Sequence, residues 1–61
     1  MWTVIYISPT LKLAERIRDR LTQEGFLVQI RSIGSRGEQY EIRVPESELH
    51  DVRELISSLF G

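Results

Sequence analysis

Sixty-one residues make one domain, 1–61, near the lower limit for folding unaided, since so short a chain hides only about 60% of the surface its unfolded form exposes. There is no cysteine, hence neither a disulfide framework nor a thiolate zinc site. Eight basic against nine acidic residues, a net charge of -1, argues against a dedicated polyanion binder and against a disordered acidic tail, and no apolar run reaches the roughly 18 residues of a membrane span.

Met1 leads directly into a strand-like run, with no basic stretch and apolar core of a signal peptide, so a cytoplasmic location is expected. That run, Trp2–Ile7, is β-branched and aromatic and closes on Ser8-Pro9, which marks a first strand. Alternation divides it into a row of Thr3, Ile5 and Ile7 and a row of Trp2, Val4 and Tyr6. Compact aliphatics suit a core and amphipathic rings a half-wet surface, so Ile5 and Ile7 are expected to face the helices.

Ser8-Pro9 then reads as N-cap and first helical residue. The helix runs to about Glu24, with Leu13, Ala14, Ile17 and Leu21 on one face and Lys12, Glu15, Arg16, Asp19, Arg20 and Gln23 on the rest. Gly25 stops it in the left-handed conformation, a cap that predicts contact between Phe26 and Leu21.

Leu27–Arg31 forms a second strand, with Val28 and Ile30 inward and Gln29 and Arg31 outward, ending near Ser32-Ile33. Gly34-Ser35-Arg36-Gly37 makes a hairpin loop to a third strand, Gln39–Val44, in which Tyr40, Ile42 and Val44 alternate with Glu41 and Arg43. Pro45 ends that strand. Ser47 is the expected N-cap of a last helix, with Glu48 and Asp51 in its first turn, a buried stripe of Leu49, Val52, Leu55, Ile56 and Leu59, and Gly61 at its end.

The order β-α-β-β-α predicts an α+β, ferredoxin-like split β-α-β that lacks its last strand. Its three-stranded sheet has the order 1-3-2, with both helices on one face. The first strand keeps an open edge beside an apolar outer row, so Trp2, Val4 and Tyr6 are candidate self-association residues and a homodimer is expected.

Chemistry-bearing residues are sparse. His50 is the sole histidine, and its neighbour Asp51 diverges from it by about 100° around a helix, so the two are not paired by adjacency. No ligand spacing typical of a metal site is present. Glu41, Glu46, Glu48 and Glu54 fall on faces expected to be wet, and so small a core leaves little room for a water-excluding pocket. Catalysis is therefore not expected. Lys12 is the sole lysine and lies on an exposed helix face, which offers no buried amine for a pyridoxal Schiff base, and no cofactor is expected.

Gly34, Ser35, Arg36 and Gly37 are candidate ligand-binding residues, whose backbone N–H groups could cradle an anion with help from Arg36, Arg31 and Arg43. Ile5-Tyr6-Ile7 and Arg36-Gly37 echo the two signatures of RNA-recognition motifs. Glu41 on the open face and Tyr40 on the opposite one make nucleic-acid binding a minor alternative.

The whole pattern resembles a known family: a strand, Ser8-Pro9, Ala14-Glu15 in an apolar helix, Glu24-Gly25 before an aliphatic strand, and Val44-Pro45-Glu46 before a closing helix. It is similar to the short bacterial signal-transducing domains of unknown function, whose ferredoxin-like fold is related to that of the PII-type regulators. The resemblance implies a non-catalytic regulatory or interaction module with an unknown protein partner. In PII-type proteins the loop between strands two and three carries effector and partner contacts, which implies such a role for Gly34 to Glu38. This chain has a much shorter loop there and no fourth strand.

Overall fold

The computed structural model describes the backbone of residues 1–60 and the side chains of residues 1–58. The side chain of Leu59, expected in the last helix's stripe, and Gly61, expected at its end, lie outside the described residues. The elements are β1 (Trp2–Ser8), α1 (Leu11–Gln23), β2 (Gln29–Ile33), β3 (Gln39–Pro45), a 3₁₀ turn (Glu46–Glu48) and α2 (Leu49–Phe60). The sheet order is β1-β3-β2 and both ladders are antiparallel, as the β-α-β-β-α pattern predicts.

The centre of the molecule is the inner row of β3. Ile42 and Val44 are fully buried and join Ala14, Ile17 and Leu21 of α1 and Val52 of α2 in one cluster. Both helices therefore cover the same face of the sheet. Tyr40 packs on this cluster from β3, and Ile5, Leu13, Phe26, Val28, Ile30, Leu49, Leu55 and Ile56 surround it. At about 1.5–3 kcal/mol for each large aliphatic side chain fully buried, a core this small leaves no spare stability for defects.

Strand β1 departs from strict alternation. Trp2, Thr3 and Val4 pair with Pro45, Val44 and Arg43, after which the register shifts between Val4 and Tyr6 and continues as Tyr6 to Ile42, Ile7 to Glu41 and Ser8 to Tyr40. Ile5 is the extra residue of a β-bulge, which changes the phase of everything that follows it. Ile5 packs against the core as expected, but Ile7 does not: it is 48% exposed and stands opposite outward-facing Glu41. Ser8 takes the inward position instead and is fully buried.

That shift also moves the start of α1. The Ser8 hydroxyl, turned inward, donates to the Thr10 carbonyl at 2.7 Å and accepts from the Thr10 N–H at 3.3 Å. Thr10, not Ser8, is the N-cap; its Oγ1 accepts from the Leu13 N–H at 3.2 Å. The other end follows expectation. Gly25 has φ 90°, its N–H donates to the Thr22 carbonyl at 3.0 Å, and the Phe26 N–H donates to the Leu21 carbonyl at 3.0 Å. This is the doubly bonded Schellman arrangement, with Phe26 placed on the core beside Leu21.

Two further differences have long-range causes. Strand β2 starts at Gln29 rather than Leu27, because the Phe26 N–H closes the helix cap and the Leu27 N–H donates to Glu48 Oε2 at 3.1 Å rather than to a strand. The last helix needs no Ser47 cap: the chain enters a 3₁₀ turn directly after Pro45, with no side-chain capping bond. The Glu46 N–H there donates to the Met1 carbonyl at 2.8 Å, tying the start of β1 to the turn. Glu48 is thus a structural tether and not a purely solvated carboxylate.

Gly25→Ala should destabilise the fold by about 1 kcal/mol, although a Cβ there would meet nothing within 4 Å. Thr10→Ala should cost a similar amount, about 1 kcal/mol, through the lost cap. Urea unfolding followed by circular dichroism checks both, and an unchanged midpoint in either variant would contradict the capping scheme.

Candidate functional site

Two places hold the sequence-derived candidates: the loop between β2 and β3, and the outer face of the sheet. In the loop, Gly34 and Gly37 adopt φ 92° and 63°, and the Gly37 N–H donates to the Gly34 carbonyl at 3.3 Å. The turn thus formed does aim a backbone N–H inward, but the acceptor is already there. Glu38 folds back so that its Oε2 accepts from the Arg36 N–H at 3.2 Å. A Cβ placed on Gly34 would lie 2.5 Å from that same oxygen, so the glycine makes room for the carboxylate.

The neighbouring cleft, about 350 Å³ and wide open, is lined by Pro9, Gly34, Glu38 and Gln39. Its only ionisable lining group is acidic. Ser35 and Arg36 are exposed at the loop tip. The other two arginines expected to assist lie elsewhere, Arg31 opposite Glu41 and Arg43 opposite Val4 and Gln29, both in the outward set of the sheet. Of the four loop residues, Arg36 and Gly34 thus lie against the protein's own carboxylate, Gly37 closes the turn, and Ser35 stays exposed.

The outer face is built by the two ladders. One transverse row holds Val4, Arg43 and Gln29, and the next outward row holds Ile7, Glu41 and Arg31; Trp2 and Pro45 lie beyond the first, and Gln39 and Ile33 beyond the second. An apolar column of Trp2, Val4 and Ile7, exposed by 37%, 42% and 48%, thus runs beside a charged column on β3. Of the candidate trio, Trp2 and Val4 belong to this column. Tyr6, also 37% exposed, stands opposite core residue Ile42, because the bulge removes it from their row. Alternation alone misses Ile7, and no residue type in Val4-Ile5-Tyr6 announces the bulge.

Arg43 is half-buried, and its Nε–H is fully buried without an acceptor. The ion pairs among the described residues are Arg18–Asp19 and Arg20–Glu24, and these, like the close contact of His50 with Glu54, lie away from this face. Arg31, Glu41 and Arg43 are juxtaposed without pairing.

On α2, His50 Nε2 lies 3.3 Å from Glu54 Oε1, and Asp51 completes a group whose ligand atoms fall within 4.8 Å of one another. The spacing of His50 and Glu54, four residues apart on a helix, makes this contact legible in hindsight. All three side chains are exposed, and an exposed acidic cluster of this kind is ordinary helix solvation. Lys12 is exposed, as its helix face predicts.

Among the described residues no helix is long and apolar enough to cross a membrane. No family model, no curated protein and no solved structure matches the chain.

Glu38→Ala should release the Arg36 amide, moving its ¹H–¹⁵N resonance upfield and speeding its hydrogen exchange while leaving β2 and β3 amides in place. Gly34→Ala should destabilise the wild-type loop by about 1–2 kcal/mol, combining a positive φ with the clash against Glu38. The loss should be smaller on the Glu38→Ala background; equal losses on the two backgrounds would remove the carboxylate from the account.

Proposed function

We propose that this chain is a small non-catalytic interaction or regulatory module that works by docking its outer sheet face, with a second copy of itself as the first partner. The observation that carries this reading is the apolar column of Trp2, Val4 and Ile7, left exposed because both helices cover the opposite face. Apolar side chains aligned on one face of a monomer mark an interaction surface more often than singly scattered ones do. The resemblance to signal-transducing domains points the same way, toward a role in contact rather than reaction.

A binding role suits the remaining chemistry. The cleft by the loop is open to water, whereas general acid–base and nucleophilic catalysis rely on positioned groups in a site that excludes it. A sensor for external anions is the weaker reading, since Glu38 holds the position in the loop that such a ligand would need. Single-stranded RNA is disfavoured by Glu41 in the middle of the outer face.

The face is preferred to the β1 edge as the docking surface. The bulge at Ile5 interrupts the edge's regular spacing, which is one of the ways natural sheets discourage edge-to-edge pairing.

Sedimentation equilibrium up to millimolar protein should show a reversible monomer–dimer system. Trp2, the only tryptophan, should shift its emission to the blue as dimer accumulates. Trp2→Ser should weaken association by about 1 kcal/mol, roughly fivefold, through the aromatic area lost at the rim of the contact. A strictly monomeric protein with invariant Trp2 emission would overturn the reading.

A further inference from the structure

We propose that the second copy docks about a two-fold axis running across the strands at the level of Ile42, so that Arg43 of each copy meets Glu41 of the other. This rests on the dimer reading and specifies its geometry.

The chain leaves opposite charges on this face without ion-pair partners among the described residues. Arg43 is half-buried and has no ion-pair partner among the described residues. Glu41 is half-buried two residues away on the same strand and pairs with neither Arg43 nor the opposing Arg31. A guanidinium and a carboxylate, neither with an ion-pair partner among the described residues, sit in adjacent rows of one exposed face.

Symmetry then discriminates between arrangements. Two sheets stacked face to face keep their strands within about 30° of alignment and lie about 10 Å apart, a distance that an arginine and a glutamate can span between them. An isologous contact places the same patch against itself through a two-fold axis. If that axis ran along β3, every row would fall on itself: Arg43 on Arg43, Glu41 on Glu41, and apolar Val4 and Ile7 over polar Gln29 and Arg31. Like charges would meet and the apolar column would stay half-covered.

If the axis runs across the strands at Ile42, the two rows exchange. Arg43 then faces Glu41, Val4 faces Ile7, and Gln29 faces Arg31 of the other copy. Apolar meets apolar, and each Glu41 carboxylate meets an Arg43 guanidinium. The face is self-complementary in this orientation and not in the other.

The contact is small. Three strands at about 4.8 Å spacing and 3.3 Å per residue present on the order of 300–400 Å² of projected area, against about 800 Å² per partner in a standard interface. The dimer should therefore be weak and in rapid exchange, with its charge pairs setting orientation more than strength.

The test is a charge swap with mixing, read by sedimentation equilibrium. Arg43→Glu and Glu41→Arg, each alone, should weaken self-association at least tenfold, because each then opposes like charges. An equimolar mixture of the two should restore wild-type association, since each copy supplies the charge the other requires. The double variant Glu41→Arg/Arg43→Glu should do the same. Isotope-filtered NOEs between Val4 and Ile7 of different copies, measured on the wild-type chain, give a readout that needs no variant.

If the wild type dimerises but the single variants do so equally well, or the mixture fails to recover, this orientation is overturned while the dimer stands. Intermolecular NOEs between β1 backbones would likewise replace it with edge pairing. A monomeric wild type would overturn both the orientation and the dimer.

Discussion

Ile42 and Val44 impose the constraint on which the rest of the molecule depends. They are fully buried on the inner side of the central strand, and the other buried apolar side chains among the described residues join them from α1 or α2. A two-layer domain of this length can cover one side of its sheet and no more. The openness of the other side is therefore the geometric complement of the core, and the charged residues Glu41 and Arg43 that alternate with the core residues must be displayed there. Core and open face are two sides of one strand.

The bulge at Ile5 links sheet geometry to helix initiation. By adding one residue between Val4 and Tyr6 it brings Ser8 inward, where the hydroxyl is buried against Thr10 and fully hydrogen-bonded. Thr10 is then held in extended conformation, φ -135° and ψ 151°, from which its side chain and carbonyl start α1. The same extra residue turns Ile7 outward and completes the exposed column. Register, helix start and surface composition are consequences of one irregularity.

The elements and their order were legible in the sequence because their signals are local. The alternation of Tyr40 to Val44, the stripe of Ala14, Ile17 and Leu21, and the glycine cap with Phe26 each depend on residues within a turn or two. What was not legible depends on distant partners. Glu48 reaches the Leu27 amide twenty-one positions away, and the Glu46 amide finds the carbonyl of Met1. The loop deceived for another reason: its glycines, read as room for an external anion, make room for Glu38. On the outer face each charge was predictable singly. Their levels required both ladders, and hence the unannounced bulge.

Because β1 carries one residue more than the β3 segment beside it, its length is decoupled from its phase. Removing Ile5 would leave Val4 opposite Arg43 and Tyr6 opposite Ile42, as they already are, with the surplus residue gone and the ladder continuous. Such a shortening would forfeit a core contact yet preserve both surface columns and the entry to α1. Loss of Tyr6 instead would give the same register, with Ile5 brought opposite Ile42. The strand can therefore change its count without changing the outer columns.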